Sequence, residues 1–197
     1  MNGPQEKDPI IPYADTDSLT GDLKTAVDAY IERMGFLPNA LKLYMHRPEL
    51  LACLIRLNNT VMRDDTSHLD AGLKRRLAAV CSALNESDYC VAHNSNTLKT
   101  DTDSDGEGWG FTADDVAALL DDSYAPEGPL EQASFDYARA ATLDPTNVPE
   151  AVIHTLNDVL TPPQVAELAV LVGFWKMYNS IHESLHIPIE QELLADI

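Results

Sequence analysis

The residues most capable of chemistry in this sequence surround one cysteine near the middle of the chain. Cys90 is followed by His93 and Asn94, three and four positions later, and Ser87 precedes it by three. On a helix, side chains three and four residues apart lie on the same side, so a thiol, an imidazole and an amide form one polar cluster. Such a cluster suits nucleophilic or redox chemistry at sulfur, with the histidine transferring protons.

The reactivity of the Cys90 thiol depends on opposing effects that the sequence places beside it. A helix N-terminus lowers the pKa of a nearby thiol, whereas the carboxylates of Glu86 and Asp88 raise it. A structural interpretation is also open, in which Ser87 caps the helix and Cys90 is an ordinary buried thiol. The sequence does not choose between the two interpretations, because it does not show whether the sulfur is accessible.

A second set of candidate ligands lies in the acidic segment 101–112, which reads DTDSDGEGWGFT. Aspartates at the first, third and fifth positions, followed by glycine at the sixth, match the front half of an EF-hand-type calcium loop. Thr112 stands where a bidentate glutamate belongs, so the ligand set is incomplete. The segment predicts either a Ca²⁺ site, in a protein that requires no other cofactor, or a solvated acidic loop. The predicted ligands are Asp101, Asp103, Asp105 and Glu107.

A third pattern, at residues 182–186, reads HESLH and matches the H-E-x-x-H motif of zinc proteases. Pro188 is expected to end the helix directly after it, and little chain remains to supply a third ligand. Histidines in the last turn of a helix also interact favourably with the helix dipole. We therefore favour this structural interpretation over zinc catalysis.

Helical periodicity and capping signals predict that these groups are carried on helices. Gly35 is expected to end the first helix, Pro48 begins another, and Asp70 caps the helix that precedes Ser87. Thr112–Asp115 is a capping box after the acidic segment. No stretch of useful length shows the alternation typical of a β-strand. The sequence predicts an all-α fold of about eight to ten helices packed as one unit.

The predicted organisation is a short arm followed by one domain. Residues 1–17 include Pro4, Pro9 and Pro12 and are predicted as an extended N-terminal arm. Residues 18–197 are predicted as the helical domain, with the acidic loop as an insertion at 101–111. The longest predicted helix continues to about His186, and its aromatic residues are interpreted as core or subunit-interface packing. These residues are Phe174, Trp175 and Tyr178.

Composition excludes several classes of partner. The 197 residues include 13 basic and 32 acidic ones, for a formal net charge of −19. A surface this negative repels phosphate backbones and anionic lipid headgroups, so nucleic acid and membranes are not expected partners. No apolar stretch has the length of a membrane span, the N-terminus does not resemble a signal peptide, and the cysteines follow no disulfide framework. We expect a cytoplasmic protein that acts on a small-molecule substrate.

Residues 77–94, which read LAAVCSALNESDYCVAHN, resemble the alkylhydroperoxidase D / carboxymuconolactone decarboxylase family. The segments 35–39 (GFLPN) and 46–50 (HRPEL) are similar to its peroxidase-related branch, and so are later landmarks up to the final long helix. The resemblance covers roughly residues 18–188. It implies an alkylhydroperoxidase D-like helical fold and a homo-oligomer, as a dimer, trimer or hexamer, because members of the family bury helices between subunits.

The sequence departs from the redox motif of that family at three of four positions. The motif is Cys-x-x-Cys-x-x-x-His with a glutamate fifteen residues before the second cysteine, and here Cys90 matches only that cysteine. Ser87 replaces the first cysteine, Asn94 the histidine and Arg75 the glutamate, while His93 lies one position early. In the family mechanism a thiolate attacks a peroxide, and the resulting sulfenic acid is resolved by the neighbouring thiol. Ser87 cannot form that disulfide.

Three hypotheses about function follow. The first is a peroxidase-related redox enzyme that uses Cys90 with His93 and has its oxidised sulfur resolved by Cys81, Cys53, another subunit or an external thiol. The second is a non-redox enzyme of decarboxylase, lyase or isomerase type, in which His93 transfers protons. The third is a non-catalytic oligomeric protein whose acidic loop holds a divalent cation.

Overall fold

The computed structural model describes residues 8–100 and 109–194, and within these ranges it confirms the all-α prediction, with ten α-helices and no strand. A 3-10 turn at Thr16–Ser18 precedes them. The helices are α1 (Gly21–Met34), α2 (Asn39–Tyr44), α3 (Pro48–Arg63), α4 (Ala71–Leu84), α5 (Asp88–Thr100), α6 (Ala113–Leu120), α7 (Gly128–Leu143), α8 (Glu150–Val159), α9 (Pro162–Ser184) and α10 (Gln191–Leu194).

Most helix ends lie where the capping residues predict them. Gly35 ends α1 with a φ of 78°, a left-handed conformation that glycine adopts without steric cost. Pro48 is the first residue of α3, and the Asp70 carboxylate accepts a hydrogen bond from a backbone N–H in the first turn of α4. The Thr112–Asp115 capping box is confirmed at the start of α6.

Two features near the ends of the chain were not predicted. A 3-10 turn at Thr16–Ser18 spans the predicted boundary between the arm and the domain. The longest helix, α9, ends at Ser184 rather than near His186, whose φ of 52° is left-handed and cannot continue a right-handed helix. After this break the chain returns to the body of the protein, where Ile187 and Glu190 are buried.

Helix α4 is the central element of the packing. It contacts α3, α5, α6, α7 and α9, and several of its residues, such as Leu77, Ala78 and Cys81, have no exposed surface. Small side chains on α4 let its neighbours approach closely, and removing apolar surface from water drives this packing. As a consequence, α5 and α9 contact each other as well as α4. None of the helices in the described part of the chain combines the length and apolarity needed to cross a membrane.

The core position of Phe135 on α7 provides a test of this packing. Phe135 is fully buried, and its ring stacks on that of Tyr124, with 5.4 Å between centroids. We expect Phe135→Ala to lower the free energy of unfolding by about 3–5 kcal/mol, as measured by urea denaturation. Leu143, on the same helix, is 65% exposed, so Leu143→Ala should change that free energy by less than about 0.5 kcal/mol. Equal effects in the two variants would contradict the position of Phe135.

Candidate functional site

Cys90 and His182 form the central pair of the candidate site. The Sγ of Cys90 lies 2.9 Å from Nδ1 of His182. Cys90 is in the first turn of α5 and His182 is in the last turn of α9, so the contact joins two helices. The two residues are 2% and 5% exposed. A thiol beside an imidazole is the arrangement that activates cysteine as a nucleophile.

Burial sets the protonation states of this pair. Burial raises the pKa of the Cys90 thiol to about 12, a hydrogen bond with Ser87 lowers it, and the charge of Glu183 raises it further. Burial also lowers the pKa of His182 to about 3, an effect that His93 strengthens and Glu190 opposes. At neutral pH the pair therefore rests as a thiol and a neutral imidazole, and this imidazole can accept the thiol proton during a reaction.

A second polar group, centred on Glu190, lies beside this pair. Glu190 Oε2 is 2.7 Å from Nε2 of His93, and Oε1 accepts a 2.8 Å hydrogen bond from the Tyr89 hydroxyl. The backbone N–H of Asn39 donates to the same Oε1. Burial raises the pKa of Glu190, but these hydrogen bonds and the charge of His93 together lower it below its ordinary value. An ionised carboxylate from the segment after α9 thus holds His93 in place.

The Cys90 thiol and both histidines line a cavity of about 110 Å³. Its wall is partly aromatic and includes residues of α1, α2, α3, α4, α5 and α9. The aromatic residues that line it are Tyr30, Tyr44, Tyr89, Trp175 and Tyr178. Three arginines also line it, namely Arg33, Arg63 and Arg75, and no described aspartate or glutamate does. The space beside the sulfur can therefore hold a small molecule.

Three of the residues that the sequence brought together also line this cavity, namely Cys90, His93 and Asn94. Their contacts differ from the expected ones. His93 is held by Glu190, whereas the imidazole next to the sulfur belongs to His182. The polar cluster therefore draws its members from α5, from α9 and from the segment after α9.

Asn94 and Ser87 connect α5 to the neighbouring helices. The side-chain amide of Asn94 donates hydrogen bonds to the Ala78 carbonyl and the Ser82 hydroxyl on α4. The Ser87 hydroxyl does not line the cavity and donates to Glu183 Oε1 on α9, at 2.8 Å. Ser87 directly precedes the first turn of α5, which carries Cys90, and Asn94 lies in the next turn, so these bonds hold α5 against α4 and α9.

The other two cysteines lie away from the cavity. Cys81 is fully buried on α4, where the Thr142 hydroxyl donates a hydrogen bond to its sulfur. Cys53 is exposed on α3. Neither residue lines the cavity around Cys90. The sequence left open whether Cys81 or Cys53 resolves an oxidised Cys90. The structure places neither of these thiols in the cavity with Cys90.

His182 and Glu190 are the site residues that sequence reasoning missed. The only sequence pattern that includes His182 is the zinc-type motif at residues 182–186. Because α9 ends at Ser184, the two histidines of that motif do not share a helix. Among the described residues no group of three or more His, Cys, Asp or Glu side chains is arranged to hold a metal ion. Trp175 and Tyr178, which were interpreted as packing residues, are buried or half-buried and also line the cavity.

The four ligands of the predicted calcium site, Asp101, Asp103, Asp105 and Glu107, lie outside the described residues. The calcium site therefore stays a prediction. The capping role of Asp115, just after this segment, is confirmed.

The arrangement of helices is that of the alkylhydroperoxidase D-like proteins. A peroxidase-related protein with an alkylhydroperoxidase AhpD core, from Ralstonia eutropha JMP134, is similar with a TM-score of 0.80 and 19% identity over 94% of each chain. A peroxidase-related protein from Silicibacter sp. TM1040 has a TM-score of 0.74 and 20% identity, over 95% of this chain and 96% of its own. No family model and no curated protein matches the sequence.

The name of a third similar protein indicates a different activity. It is the debrominase Bmp8, with a TM-score of 0.78 and 17% identity, over 95% of this chain and 96% of its own. At identities this low the similarity defines the fold, and the reaction has to be argued from the side chains of this chain.

The three cysteines should differ strongly in their reactivity. Cys53 is exposed, whereas Cys81 and Cys90 are buried, and the thiolate is the reactive form. Near neutral pH we expect iodoacetamide to modify Cys53 first and Cys90 at least about 10²-fold more slowly, because the pKa of Cys90 is raised. Mass spectrometry of the labelled peptides measures these rates. In urea the three rates should become similar, whereas equal rates in the native protein would exclude a buried Cys90.

The lowered pKa of His182 should make stability depend on pH. Its ordinary pKa of 6.5 falls to about 3 in the folded protein, so between these values the unfolded chain binds a proton that the folded protein does not. Stability therefore decreases as the pH falls through this window, by about 1.4 kcal/mol per pH unit from this group. His182→Gln should show a shallower pH dependence in urea denaturation. Parallel curves for the two proteins would argue against a neutral, buried His182.

Proposed function

We propose that this chain is a thiol-dependent redox enzyme of the peroxidase-related kind, with Cys90 as nucleophile and His182 as its base. The observation that carries the proposal is the 2.9 Å contact between Cys90 Sγ and His182 Nδ1 on the wall of a cavity. The similarity in fold to two peroxidase-related proteins supports it. His93, the partner expected from the sequence, takes an indirect role instead.

In the proposed reaction a peroxide enters the cavity and meets the sulfur. His182 accepts the proton of the Cys90 thiol while the sulfur attacks one peroxide oxygen. A sulfur–oxygen bond forms, the oxygen–oxygen bond breaks, and the departing oxygen takes the proton from His182. The products are a sulfenic acid on Cys90 and an alcohol, so the sulfur loses the two electrons that the peroxide gains.

The sulfenic acid is reduced by external thiols in this proposal. Ser87 stands in the position of the resolving cysteine and has no thiol to offer. A first small thiol condenses with the sulfenic acid, which forms a mixed disulfide and releases water. A second thiol then attacks that disulfide, so Cys90 leaves as the reduced thiol and the two small thiols leave as their disulfide.

His93 and Glu190 both affect the proposed base, His182. His93 lowers the pKa of His182, which keeps the His182 ring neutral and able to accept a proton. Glu190 fixes the His93 ring through the contact at Nε2. The carboxylate acts on the thiol only through these two histidines, so Glu190 is a positioning residue in this mechanism.

Reductive dehalogenation is a second candidate, favoured by the aromatic wall of the cavity. A cysteine-to-alanine variant of the debrominase Bmp8 is known in complex with 2,3,4-tribromopyrrole. For this chain, the same thiol would take the halogen from an aromatic ring with help from an external thiol. The balanced reaction converts an aryl halide and two thiols into the arene, a disulfide and the hydrogen halide.

We also propose that the enzyme works as a homo-oligomer. Leu50 and Leu57 on α3 are 49% and 38% exposed, and Val170 and Met177 on α9 are 54% and 36% exposed. The two helices that carry these side chains, α3 and α9, are in contact. Exposed apolar side chains on adjacent helices suit burial against another subunit.

Loss of the thiol is the direct test of the proposed redox function. With tert-butyl hydroperoxide as substrate and dithiothreitol as reductant, we expect Cys90→Ser to reduce turnover to the uncatalysed rate. His182→Gln should lower kcat/KM by about 10²–10⁴-fold, because it removes the base. Consumption of the hydroperoxide measures both effects, and dimedone should label Cys90 in the wild-type protein.

Cys53→Ser is the matched control, since Cys53 is exposed and does not line the cavity, and it should keep wild-type turnover. Full activity in Cys90→Ser would refute the redox mechanism. If Cys90→Ser is silent in an assay in which His93→Ala abolishes activity, the non-redox hypothesis is the correct one. A melting temperature that responds to Ca²⁺, with no activity changed by either variant, would support the non-catalytic hypothesis.

A further inference from the structure

Three buried polar atoms on the cavity wall have no hydrogen-bond partner among the described residues. They are the Tyr44 hydroxyl, the indole Nε1 of Trp175 and Nε2 of His182. Their residues are 7%, 8% and 5% exposed, and all three line the cavity. A buried polar group without a partner costs about 1–3 kcal/mol, so most are satisfied. Three such groups on one cavity indicate that a polar ligand completes them.

All three atoms are hydrogen-bond donors. The indole Nε1 carries a hydrogen and cannot accept. Tyr44 stays protonated because burial raises its pKa. We assign the Cys90 thiol as the donor to Nδ1 of His182, which faces it, and this assignment places the single proton of the neutral ring on Nε2. The ligand must therefore supply acceptor atoms.

The rings around these donors define the rest of the ligand. The His182 ring lies 4.9 Å, 5.4 Å and 6.1 Å, between centroids, from the rings of Tyr89, Tyr178 and Tyr44. These are the distances of direct ring packing, so the wall beside the sulfur is an aromatic surface against which a planar, aromatic guest can pack. The cavity, of about 110 Å³, is somewhat smaller than the cavity of about 150 Å³ that accommodates benzene. A space of this size takes no more than one ring, so two fused rings are excluded.

We propose that the cavity binds a single-ring aromatic compound that carries an acceptor oxygen next to the ring, as an aromatic carbonyl does. The ring lies among the aromatic side chains, and the oxygen accepts hydrogen bonds from Tyr44, Trp175 and His182. His182 contacts the ligand and Cys90 through its two nitrogens, so the ligand is bound beside the sulfur. As a statement about substrate, this inference rests on the proposed redox function, whereas the binding itself does not.

Three matched probes test this inference by isothermal titration calorimetry on the wild-type protein. Acetophenone has both the ring and the acceptor, α-methylstyrene replaces the carbonyl oxygen with a methylene group, and cyclohexyl methyl ketone replaces the aromatic ring. We expect acetophenone to bind at least about tenfold more tightly than either analogue. Equal affinities for the three probes, or no binding of acetophenone at millimolar concentration, would overturn the inference.

Donor-deleting variants give an independent measurement. Tyr44→Phe and Trp175→Phe keep an aromatic ring and remove one donor each, so each should weaken acetophenone about five- to tenfold and leave α-methylstyrene unchanged. Tyr137→Phe, outside the cavity lining, should change neither affinity. Circular dichroism checks folding, and if Trp175→Phe does not fold, Tyr44→Phe and the probe series on the wild type still decide. If both variants bind all probes as the wild type does, Tyr44 and Trp175 do not donate hydrogen bonds to the ligand.

The failure of this inference can be told apart from the failure of the proposed function. Hydroperoxide turnover that depends on Cys90, in a protein that does not bind acetophenone, would refute the ligand class and leave the redox function standing. Selective binding of acetophenone in a protein without turnover would refute the redox function and leave the binding site standing.

Discussion

The buried contact between Cys90 and His182 is the interaction on which the candidate site depends. It joins the first turn of α5 to the last turn of α9 over 2.9 Å, and α4 supports both helices. Because the pair is shielded from water, both groups are neutral at rest, and the thiol gains reactivity only when its proton moves to the imidazole. A small shift of either helix would lengthen this contact, so the packing around α4 and the chemistry of the sulfur are coupled.

The break at the end of α9 supplies the remaining groups. Had α9 continued through His186, the chain would have run on in the direction of the helix and Glu190 could not have returned to the site. Instead Glu190 accepts hydrogen bonds from Tyr89 and from the backbone of Asn39, and it contacts His93. In a chain with a net charge of −19, this buried carboxylate contacts a histidine, and three arginines line the cavity beside it.

The comparison with known structures separates the scaffold from the reaction. Two peroxidase-related proteins and a debrominase share this fold at 17–20% identity, so the arrangement of helices does not determine the chemistry. In this chain the residue three positions before Cys90 is a serine, and the imidazole beside the sulfur comes from α9. These two features are the basis for proposing a sulfur that works with an external thiol.

The sequence by itself determined the helices, their caps and the cluster of Cys90, His93 and Asn94, because these depend on contacts within a few residues. It also shows that the residue three positions before Cys90 is Ser87, which has no thiol to pair with it. Only the tertiary structure placed His182, 92 residues from Cys90, and Glu190, 97 residues from His93. No local periodicity encodes such pairs, since they arise where separate helices pack against α4 and where a left-handed residue ends α9. The aromatic residues of α9 follow the same rule: spacing shows that they are buried, and only packing shows that they enclose a cavity.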